Sequence, residues 1–207
     1  MLAERILVVP LQSSAFLGGR QCWVFLPRNY GSTSQRYDVL YMLDGQDLFG
    51  ASSRWRVDQT AEHMIETRQI PGVIIVGIEN ARGAARTFEY TPWADSFYTL
   101  APSGGGDAFL RAVSSSLIPL VNRRFRTLTG PEHTFLLGAS FGGLIASYAG
   151  YAFDSTFSRV AAMSPSYWWD HGHMLAFARA TLAVGSRSSI RTRGRQRMTR
   201  RPSGSRT

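Results

Sequence analysis

Short apolar runs alternate with amphipathic segments along most of this 207-residue chain. RILVVPL and CWVFLP have the length and composition of two early strands, joined through Gly18 and Gly19. YDVLYML and GVIIVGI are continuous apolar runs bounded by turn residues, which is typical of strands buried on both faces of a parallel sheet. TFLLGA and FSRVAAMSPS predict two further strands later in the chain.

The segments between these runs show helical spacing. VDQTAEHMIETRQI places four apolar residues on one helical face, namely Val57, Ala61, Met64 and Ile65. DAFLRAVSSSLIPLVNRRF predicts a second helix, with Asp107 as its expected N-cap and Pro119 as an expected kink. GGLIASYAGYAF predicts a third helix. HMLAFARATLAVG predicts a further helix and a short strand around LAVG, and residues 79–106 are expected to form a long irregular stretch. Strands that alternate with helices indicate an α/β fold with a doubly wound, mostly parallel sheet.

The last 21 residues differ in composition from the rest of the chain. Residues 187–207 hold eight arginines and no acid; subtracting these eight from the net charge of +9 leaves +1 for the other 186 residues. This segment has too little apolar surface to offset its ordering entropy, and it lacks the aromatics and the helical periodicity of a nucleic-acid or membrane module. We therefore expect one domain over residues 1–186, a disordered tail over 187–207, and neither nucleic acid nor membrane as a partner.

The stretch Gly138-Ala139-Ser140-Phe141-Gly142 matches the G-x-S-x-G pattern of a nucleophilic serine. A predicted strand precedes it and a predicted helix follows it, as a sharp strand-to-helix turn requires. Such a turn exposes the Ser140 hydroxyl and places the N–H of Phe141 at a helix N-terminus, where it can stabilise an oxyanion. In LDGQDLFG, Gly45 allows a close backbone approach to substrate, and the N–H of Gln46 is the expected second donor. An ordinary DG turn is the alternative interpretation of that loop.

Four motifs together resemble the esterase D-like branch of the α/β-hydrolases, over roughly residues 18–170. They are YMLDGQDLF, RTFEYTP, LIPLVNRRFRT and LLGASFGGLIASYAGYAFDSTFSRVAAMSPSYWW. The branch includes siderophore esterases, S-formylglutathione hydrolase and mycolyltransferases, and the R-x-x-x-Y-T-P and SPS-x-WW patterns are closest to the siderophore esterases. The resemblance implies a three-layer α/β-hydrolase fold that cleaves a small-molecule carboxylic ester without a cofactor. It also implies that Ser140 is the nucleophile and that Phe141 and Gln46 occupy the oxyanion positions.

Four further residues match positions near the site in that family. Arg86 and Tyr90, in RTFEYTP, match a loop that rims the active site, where Arg86 holds an anionic group of the substrate or has a structural role. Trp168 and Trp169 follow the sixth predicted strand, so they stack on an aromatic acyl group such as a catecholate or line the core. The resemblance alone leaves both pairs of interpretations open.

The base that a serine nucleophile needs is the missing part of the pattern. The family supplies an acid after its seventh strand and a histidine after its eighth, but no histidine or acid follows His173 here. LAVGSRSS, which resembles the seventh strand and its turn, has serines where the acid is expected. A substitute base drawn from His171 or His173, oriented by Asp170, is the remaining possibility. His63 falls in the first predicted helix, and His133 is expected at the opposite end of the sheet from the serine.

These observations favour an esterase-like fold that lacks its last strand, with a frameshift or a premature end as the simplest origin of the tail. The alternatives are an acyltransferase of the same fold, an inactive relic of a hydrolase, or a binding protein with a basic tail. H-x-H supplies only two ligands, so we expect no metal site. The chain has no apolar run of membrane-spanning length and no signal peptide at its start, which predicts a cytoplasmic location. Cys22, the only cysteine, is expected to be buried and unreactive.

Overall fold

Six strands form a single mixed sheet in the order β1-β2-β4-β3-β5-β6. The structure is a computed structural model, and it describes residues 5–11 and 19–183. The strands are β1 (Ile6–Leu11), β2 (Arg20–Phe25), β3 (Asp38–Leu43), β4 (Val73–Ile78), β5 (Thr134–Ala139) and β6 (Arg159–Met163). β1 and β2 form an antiparallel hairpin and β2 pairs antiparallel with β4, whereas β4, β3, β5 and β6 run parallel. The predicted α/β fold with a mostly parallel sheet is therefore confirmed.

Six helices accompany the sheet in the described part of the chain. They are α1 (Val57–Glu66), α2 (Gly83–Tyr90), α3 (Gly106–Ala112), α4 (Ile118–Arg124), α5 (Phe141–Ala152) and α6 (His173–Ala183). The interpretation of residues 79–106 as wholly irregular was wrong, because α2 lies inside that stretch. The prediction of a strand around LAVG was also wrong for Leu182 and Ala183, which belong to α6; the other two residues of LAVG lie outside the described residues.

The long helical segment between β4 and β5 is interrupted rather than continuous. A π-helical segment, Val113–Leu117, separates α3 from α4. Pro119 has no N–H to donate to the carbonyl four residues earlier, so a wider turn just before it is physically reasonable. Asp107 was expected to be the N-cap, and this was wrong, because Gly105 takes that position. Asp107 lies in the first turn of α3, where it accepts a 2.6 Å hydrogen bond from Arg111.

Alternate residues of the central strands pack on opposite faces of the sheet. Tyr41 and Ile74 belong to a buried cluster with side chains of α3, α4 and α5, whereas Met42 and Ile75 belong to a second cluster with Ala61 of α1. Both faces are thus covered by helices, which gives the three layers of an α/β-hydrolase and explains the continuous apolar runs of β3 and β4. Cys22 is fully buried, as predicted, and this burial raises the pKa of its thiol to about 12 against the weaker opposing effect of Arg124.

β6 pairs with β5, and no strand pairs with its other edge within the described residues. Val160 and Met163 of this strand are more than a third exposed. The domain boundary at residue 186, the tail over 187–207 and the absence of a last strand lie outside the described residues, and they stay predictions.

Candidate active site

Ser140 stands alone between the end of β5 and the start of α5, in a strained backbone conformation. Its φ of 59° and ψ of −121° place a non-glycine residue in a region that L-amino acids rarely adopt. Two backbone hydrogen bonds fix the turn: the N–H of Ser140 donates to Met163 O at 3.0 Å, and the N–H of Ser166 donates to Ser140 O at 3.1 Å. The carboxyl end of β6 therefore holds the serine in place, and the predicted elbow is present.

Gly138 is required because strand and helix approach too closely there for a side chain, and Gly143 leaves little room for one. A Cβ built on Gly138 would lie 2.2 Å from Gly142 O, and one built on Gly143 would lie 3.0 Å from Pro165 Cα. At Gly142 the nearest atom would be Asp44 Oδ2, at 3.4 Å. The elbow thus packs directly against the residue that follows β3, which brings the two predicted oxyanion segments together.

The loop after β3 is a short 3₁₀ turn, Gly45–Asp47, that packs on the end of β4. A Cβ on Gly45 would lie 2.3 Å from the carbonyl carbon of Gly77, so the backbone of the loop rests on the backbone of the strand. Among the described residues, no acceptor takes up the N–H of Gln46 or the N–H of Phe141. Both groups are available to a ligand, as an oxyanion hole needs.

Asp44, which precedes the loop Gly45–Asp47, is held by a network of hydrogen bonds. Its carboxylate accepts two bonds from Arg86, at 2.7 Å from Nε and 2.8 Å from Nη2, and a third from Asn80 Nδ2 at 2.6 Å. Its backbone N–H donates to the Tyr90 hydroxyl at 3.3 Å, and its φ of 61° lies in the left-handed region. The bond to Asp44 is the main reason that the pKa of Arg86 lies above its ordinary value. Three side chains, those of Arg86, Asn80 and Tyr90, therefore fix the conformation of Asp44, two residues before Gln46.

This network changes the interpretation of the two RTFEYTP residues. Arg86 has two of its donors on Asp44, and its guanidinium lies 4.9 Å from the centroid of the Tyr90 ring, which favours the structural role that the sequence left open. Tyr90 is fully buried, and its ring contacts Phe109 at 5.4 Å. The expectation that Tyr90 rims the site was therefore wrong, because the last turn of α2 directs its ring into the core.

The two tryptophans after β6 have different environments. Trp169 is buried and donates its indole N–H to Trp93 O at 2.9 Å, so it lines the core. Trp168 is 51% exposed, and its ring lies 5.6 Å from Phe141 and 4.9 Å from Tyr98. Of the pair, Trp168 alone exposes its ring, and it does so beside Phe141, the residue after Ser140.

Two exposed aromatics that the sequence reasoning missed extend the surface formed by Trp168. Phe97 and Tyr98 are 72% and 47% exposed and contact each other at 4.8 Å. Asp95 holds their segment in place, accepting hydrogen bonds from the N–H groups of Phe97 (2.7 Å), Tyr98 (3.2 Å) and Asp170 (2.8 Å). Burial by itself raises the pKa of the Asp95 carboxyl, but these three donors and the nearby His171 outweigh it and hold the pKa below its ordinary value.

Within residues 5–11 and 19–183, no histidine forms a hydrogen bond with the Ser140 hydroxyl. The Ser140 hydroxyl has the Ser166 hydroxyl as its hydrogen-bond partner, 3.3 Å away. His173 is engaged elsewhere, with its Nδ1 2.7 Å from Asp170 Oδ2 and its ring stacked on Trp93 at 4.2 Å. The His171 ring lies 5.2 Å from that of Phe97, on the aromatic surface. No described contact therefore supports a substitute base from this pair.

The other two histidines lie away from the serine. His133 bonds Asp38 at 2.6 Å beside the amino-terminal ends of β3 and β5, the opposite end of the sheet from Ser140 as predicted. His63 is exposed on α1. Ser166 was missed from sequence, although its position in SPS directly after β6 was the available signal.

Two further findings concern ligands and membranes. Within residues 5–11 and 19–183, no three His, Cys, Asp or Glu side chains come close enough together to hold a metal ion. None of the helices in these ranges combines the length and apolar character that crossing a bilayer requires.

Comparison with known proteins identifies relatives of this chain. Uncharacterized protein YbbA of Bacillus subtilis is 28% identical over 182 residues, which cover 82% of this chain and 69% of that protein. Iron(III) enterobactin esterase of Escherichia coli K12 is 29% identical over 73% of this chain and 34% of its own length. The crystal structure of an IroE-like serine hydrolase from Shewanella oneidensis aligns with a TM-score of 0.73 at 28% identity, over 87% of this chain and 57% of that one.

The chain spans only part of these relatives, between about a third and about two thirds of their length. A family model, by contrast, matches nearly the whole of it. Residues 13–198 match the family described as "Putative esterase", so this chain belongs to that esterase family and has its α/β-hydrolase fold, as the sequence motifs implied.

Proposed function

We propose that this chain is a serine hydrolase of carboxylic esters, with Ser140 as the nucleophile. The observation that carries the proposal is the strained elbow at Ser140, which packs against the start of the loop after β3. Within the described residues, the N–H of Gln46 in that loop has no acceptor. In the reaction, Ser140 Oγ adds to the ester carbonyl while the N–H groups of Phe141 and Gln46 donate to the developing oxyanion. The serine proton passes to the leaving oxygen, which departs as the alcohol, and water then hydrolyses the acyl-enzyme, which releases the acid and restores the Ser140 hydroxyl.

The substrate class follows from the relatives and from the surface beside the serine. The E. coli relative is named for an iron(III) enterobactin ester, and an Aspergillus fumigatus relative, 32% identical over 69% of this chain, is a siderophore triacetylfusarinine C esterase. We infer that a small siderophore-like ester is the substrate here. The exposed ring of Trp168, with Tyr98 beside it, supports an aromatic or bulky acyl group next to Ser140. The cytoplasmic location stays a prediction.

Proton transfer is where this site differs from a complete triad. Ser166 is the hydrogen-bond neighbour of Ser140, but a hydroxyl is not a base at neutral pH. Serine hydrolases that lack triad members keep a rate about 10³–10⁴-fold above water through their oxyanion donors and substrate binding. We therefore expect slow esterase activity. An inactive relic is the second candidate function, favoured by the engagement of His173 with Asp170 and Trp93 rather than with the serine.

The test compares the wild type with Ser140→Ala in hydrolysis of an activated aryl ester and in labelling by a serine-directed fluorophosphonate. We expect slow hydrolysis and slow labelling by the wild type, and neither reaction in the variant. Ser155→Ala is the matched control, since Ser155 is exposed in the turn that precedes β6 at the other end of the sheet. Equal rates in wild type and Ser140→Ala would rule out the nucleophile, and no reaction in either would favour the relic.

A further inference from the structure

Ser166, which lies shortly after the end of β6, contacts Ser140 through both its backbone and its side chain. Its N–H donates to Ser140 O at 3.1 Å, and its hydroxyl oxygen lies 3.3 Å from Ser140 Oγ. Its own carbonyl accepts a hydrogen bond from the N–H of Trp169 at 3.1 Å, so the backbone of Ser166 is held on both sides of its Cα. The residue is only 5% exposed. The Ser166 hydroxyl is therefore fixed beside the proposed nucleophile before a substrate binds.

The Ser166 hydroxyl has no hydrogen-bond partner other than Ser140 in the described part of the chain. Ser147, which is similarly buried, shows the contrast, because its hydroxyl donates to Gly143 O at 2.9 Å and lies 2.8 Å from the Tyr167 hydroxyl oxygen. A serine hydroxyl can donate one hydrogen bond and accept two. When Ser166 accepts a hydrogen bond from Ser140, its own proton is therefore free to be donated to a third group.

Ser166 and the oxyanion loop lie on opposite sides of Ser140. Ser140 directly follows β5, which lies between β3 and β6 in the sheet. The loop Gly45–Asp47 follows β3, and Ser166 follows β6. A substrate whose carbonyl oxygen accepts the N–H of Gln46 therefore has Ser166 on the other side of the attacking oxygen. Ser166 is placed to act on the proton of Ser140 rather than on the oxyanion.

The proton of Ser140 has a poor direct path to the leaving oxygen of an ester. When Ser140 Oγ bonds to the carbonyl carbon, a direct transfer closes a four-membered ring, in which the O–H···O angle is far from linear. A second hydroxyl placed between the two oxygens enlarges the ring to six members and brings both transfers closer to linearity. Such a hydroxyl does not have to be a base, because it gives up one proton as it takes another.

We propose that Ser166 is a catalytic residue that relays the proton of Ser140 to the leaving oxygen of the ester. The inference rests on the proposed hydrolase function. In acylation, Ser140 Oγ bonds to the carbonyl carbon and its proton passes to Ser166 Oγ. The proton that Ser166 held passes to the leaving oxygen, and the bond between that oxygen and the carbonyl carbon breaks.

Deacylation reverses the direction of the same relay. The oxygen of a water molecule bonds to the carbonyl carbon, and one proton of this water passes to Ser166 Oγ. The proton that Ser166 held returns to Ser140 Oγ as the bond between Oγ and the carbonyl carbon breaks. Ser166 ends each half-reaction with one proton, as it began, so the relay needs no reactant other than the ester and water.

Two acetyl esters with different leaving groups distinguish a relay from a structural role. 4-Nitrophenyl acetate releases a stabilised phenolate that needs little protonation, whereas phenyl acetate releases a phenol with a pKa of about 10. The kcat/KM of both esters is measured for the wild type, Ser166→Ala and Ser147→Ala. Ser147→Ala is the matched control, since it removes a similarly buried hydroxyl that is bonded to other groups than Ser140.

The expected losses differ between the two esters. A positioned acid or base contributes about 10²–10⁴-fold to a rate, and a neutral hydroxyl transfers protons less readily, so we expect Ser166→Ala to lower kcat/KM for phenyl acetate about 10–100-fold. The loss for 4-nitrophenyl acetate should be about three- to tenfold smaller, because its leaving oxygen depends less on a proton. Ser147→Ala should leave both rates unchanged, and thermal unfolding shows that each variant is folded.

The wild type alone provides a second measurement, in mixtures of H₂O and D₂O. Two protons move together in the relay, so the rate of phenyl acetate hydrolysis should fall along a curve, not a straight line, as the deuterium fraction rises. A straight line, an unchanged rate in Ser166→Ala, or an equal loss with both esters would overturn the relay and leave the hydrolase standing. Hydrolysis of neither ester by the wild type, with no fluorophosphonate labelling of Ser140, would refute the hydrolase and the relay with it.

Discussion

Replacing Arg86 with glutamine should slow the chemical step by loosening the oxyanion loop, without a selective loss of affinity for anionic substrates. Arg86 and Asp44 form a two-bond ion pair whose side chains are only 23% and 17% exposed. Asp44 immediately precedes the turn that carries the N–H of Gln46. A change at Arg86 therefore acts on the proposed oxyanion donor, the N–H of Gln46, through Asp44 and Gly45.

The magnitude follows from the burial of the pair. Removing one partner of a fully buried ion pair costs about 3–5 kcal/mol, and an exposed pair contributes about 0–1 kcal/mol. With roughly a fifth of each side chain exposed, and with Asn80 still bonded to Asp44, we expect about 1–3 kcal/mol of lost stability. Loss of a whole oxyanion donor lowers kcat about 10²–10³-fold. Because Gly45 still rests on Gly77, we expect a smaller loss of about 10–100-fold.

The assay measures Tm, the rate of fluorophosphonate labelling of Ser140, and kcat and KM for a neutral and an anionic aryl ester. Arg111→Gln is the control, since it breaks a largely exposed ion pair with Asp107 and should change stability by less than about 0.5 kcal/mol. A positioning role requires an equal fall in kcat for both esters. A normal kcat with a raised KM for the anionic ester alone would show that Arg86 binds substrate, and the reasoning would be refuted.

Three further changes test other parts of the site. Gly45→Ala places a Cβ 2.3 Å from a backbone atom of Gly77, so we expect it to lower the free energy of unfolding by about 1–3 kcal/mol and to remove most activity. Thermal unfolding and ester hydrolysis measure these losses, and the control Gly31→Ala, whose Cβ enters open space, should be neutral. Trp168→Ala should raise KM for an aromatic acyl ester about two- to tenfold relative to an acetyl ester, and equal effects would argue against stacking. The pKa of Asp95 is lowered in the folded state, so its carboxylate stabilises the fold fully above the ordinary Asp pKa of about 3.9, and this stabilisation is lost as pH falls through the folded value. The difference in Tm between the wild type and Asp95→Asn should therefore disappear in acid. A difference that stays constant with pH would contradict this.

The strands and the elbow could be predicted because their signals are local. β3 and β4 are buried on both faces, so their sequences are continuous apolar runs, and the glycines around Ser140 mark the contact between strand and helix. α2 could not be predicted in this way. It is short, it begins at a glycine, and its buried Glu89 is neutralised by Arg20 at 2.7 Å, a residue 69 positions earlier. A carboxylate paired over that distance looks like a surface residue in the sequence.

The same limit applies to the support of the oxyanion loop. Ser140, Phe141 and Gln46 were predicted from motifs that describe backbone geometry. The roles of Arg86 and Tyr90 depend on contacts with Asp44 more than 40 positions away, and on the direction in which α2 presents them. Residue type alone was compatible with both a surface role and a buried one, and only the packing distinguishes them.

The two halves of serine catalysis also differ in how the fold supplies them. The proposed nucleophile and oxyanion donors directly follow the adjacent parallel strands β3 and β5, so the sheet that forms the core also brings them together. A base must be delivered from elsewhere, and any histidine of this chain that serves Ser140 is one of four. His173 could act only by leaving its carboxylate and its stacking partner, each of which stabilises its present position. If Ser140 is the nucleophile, as we propose, the described site can polarise a carbonyl and hold an oxyanion, and the transfer of the serine proton is the step that we expect to limit it.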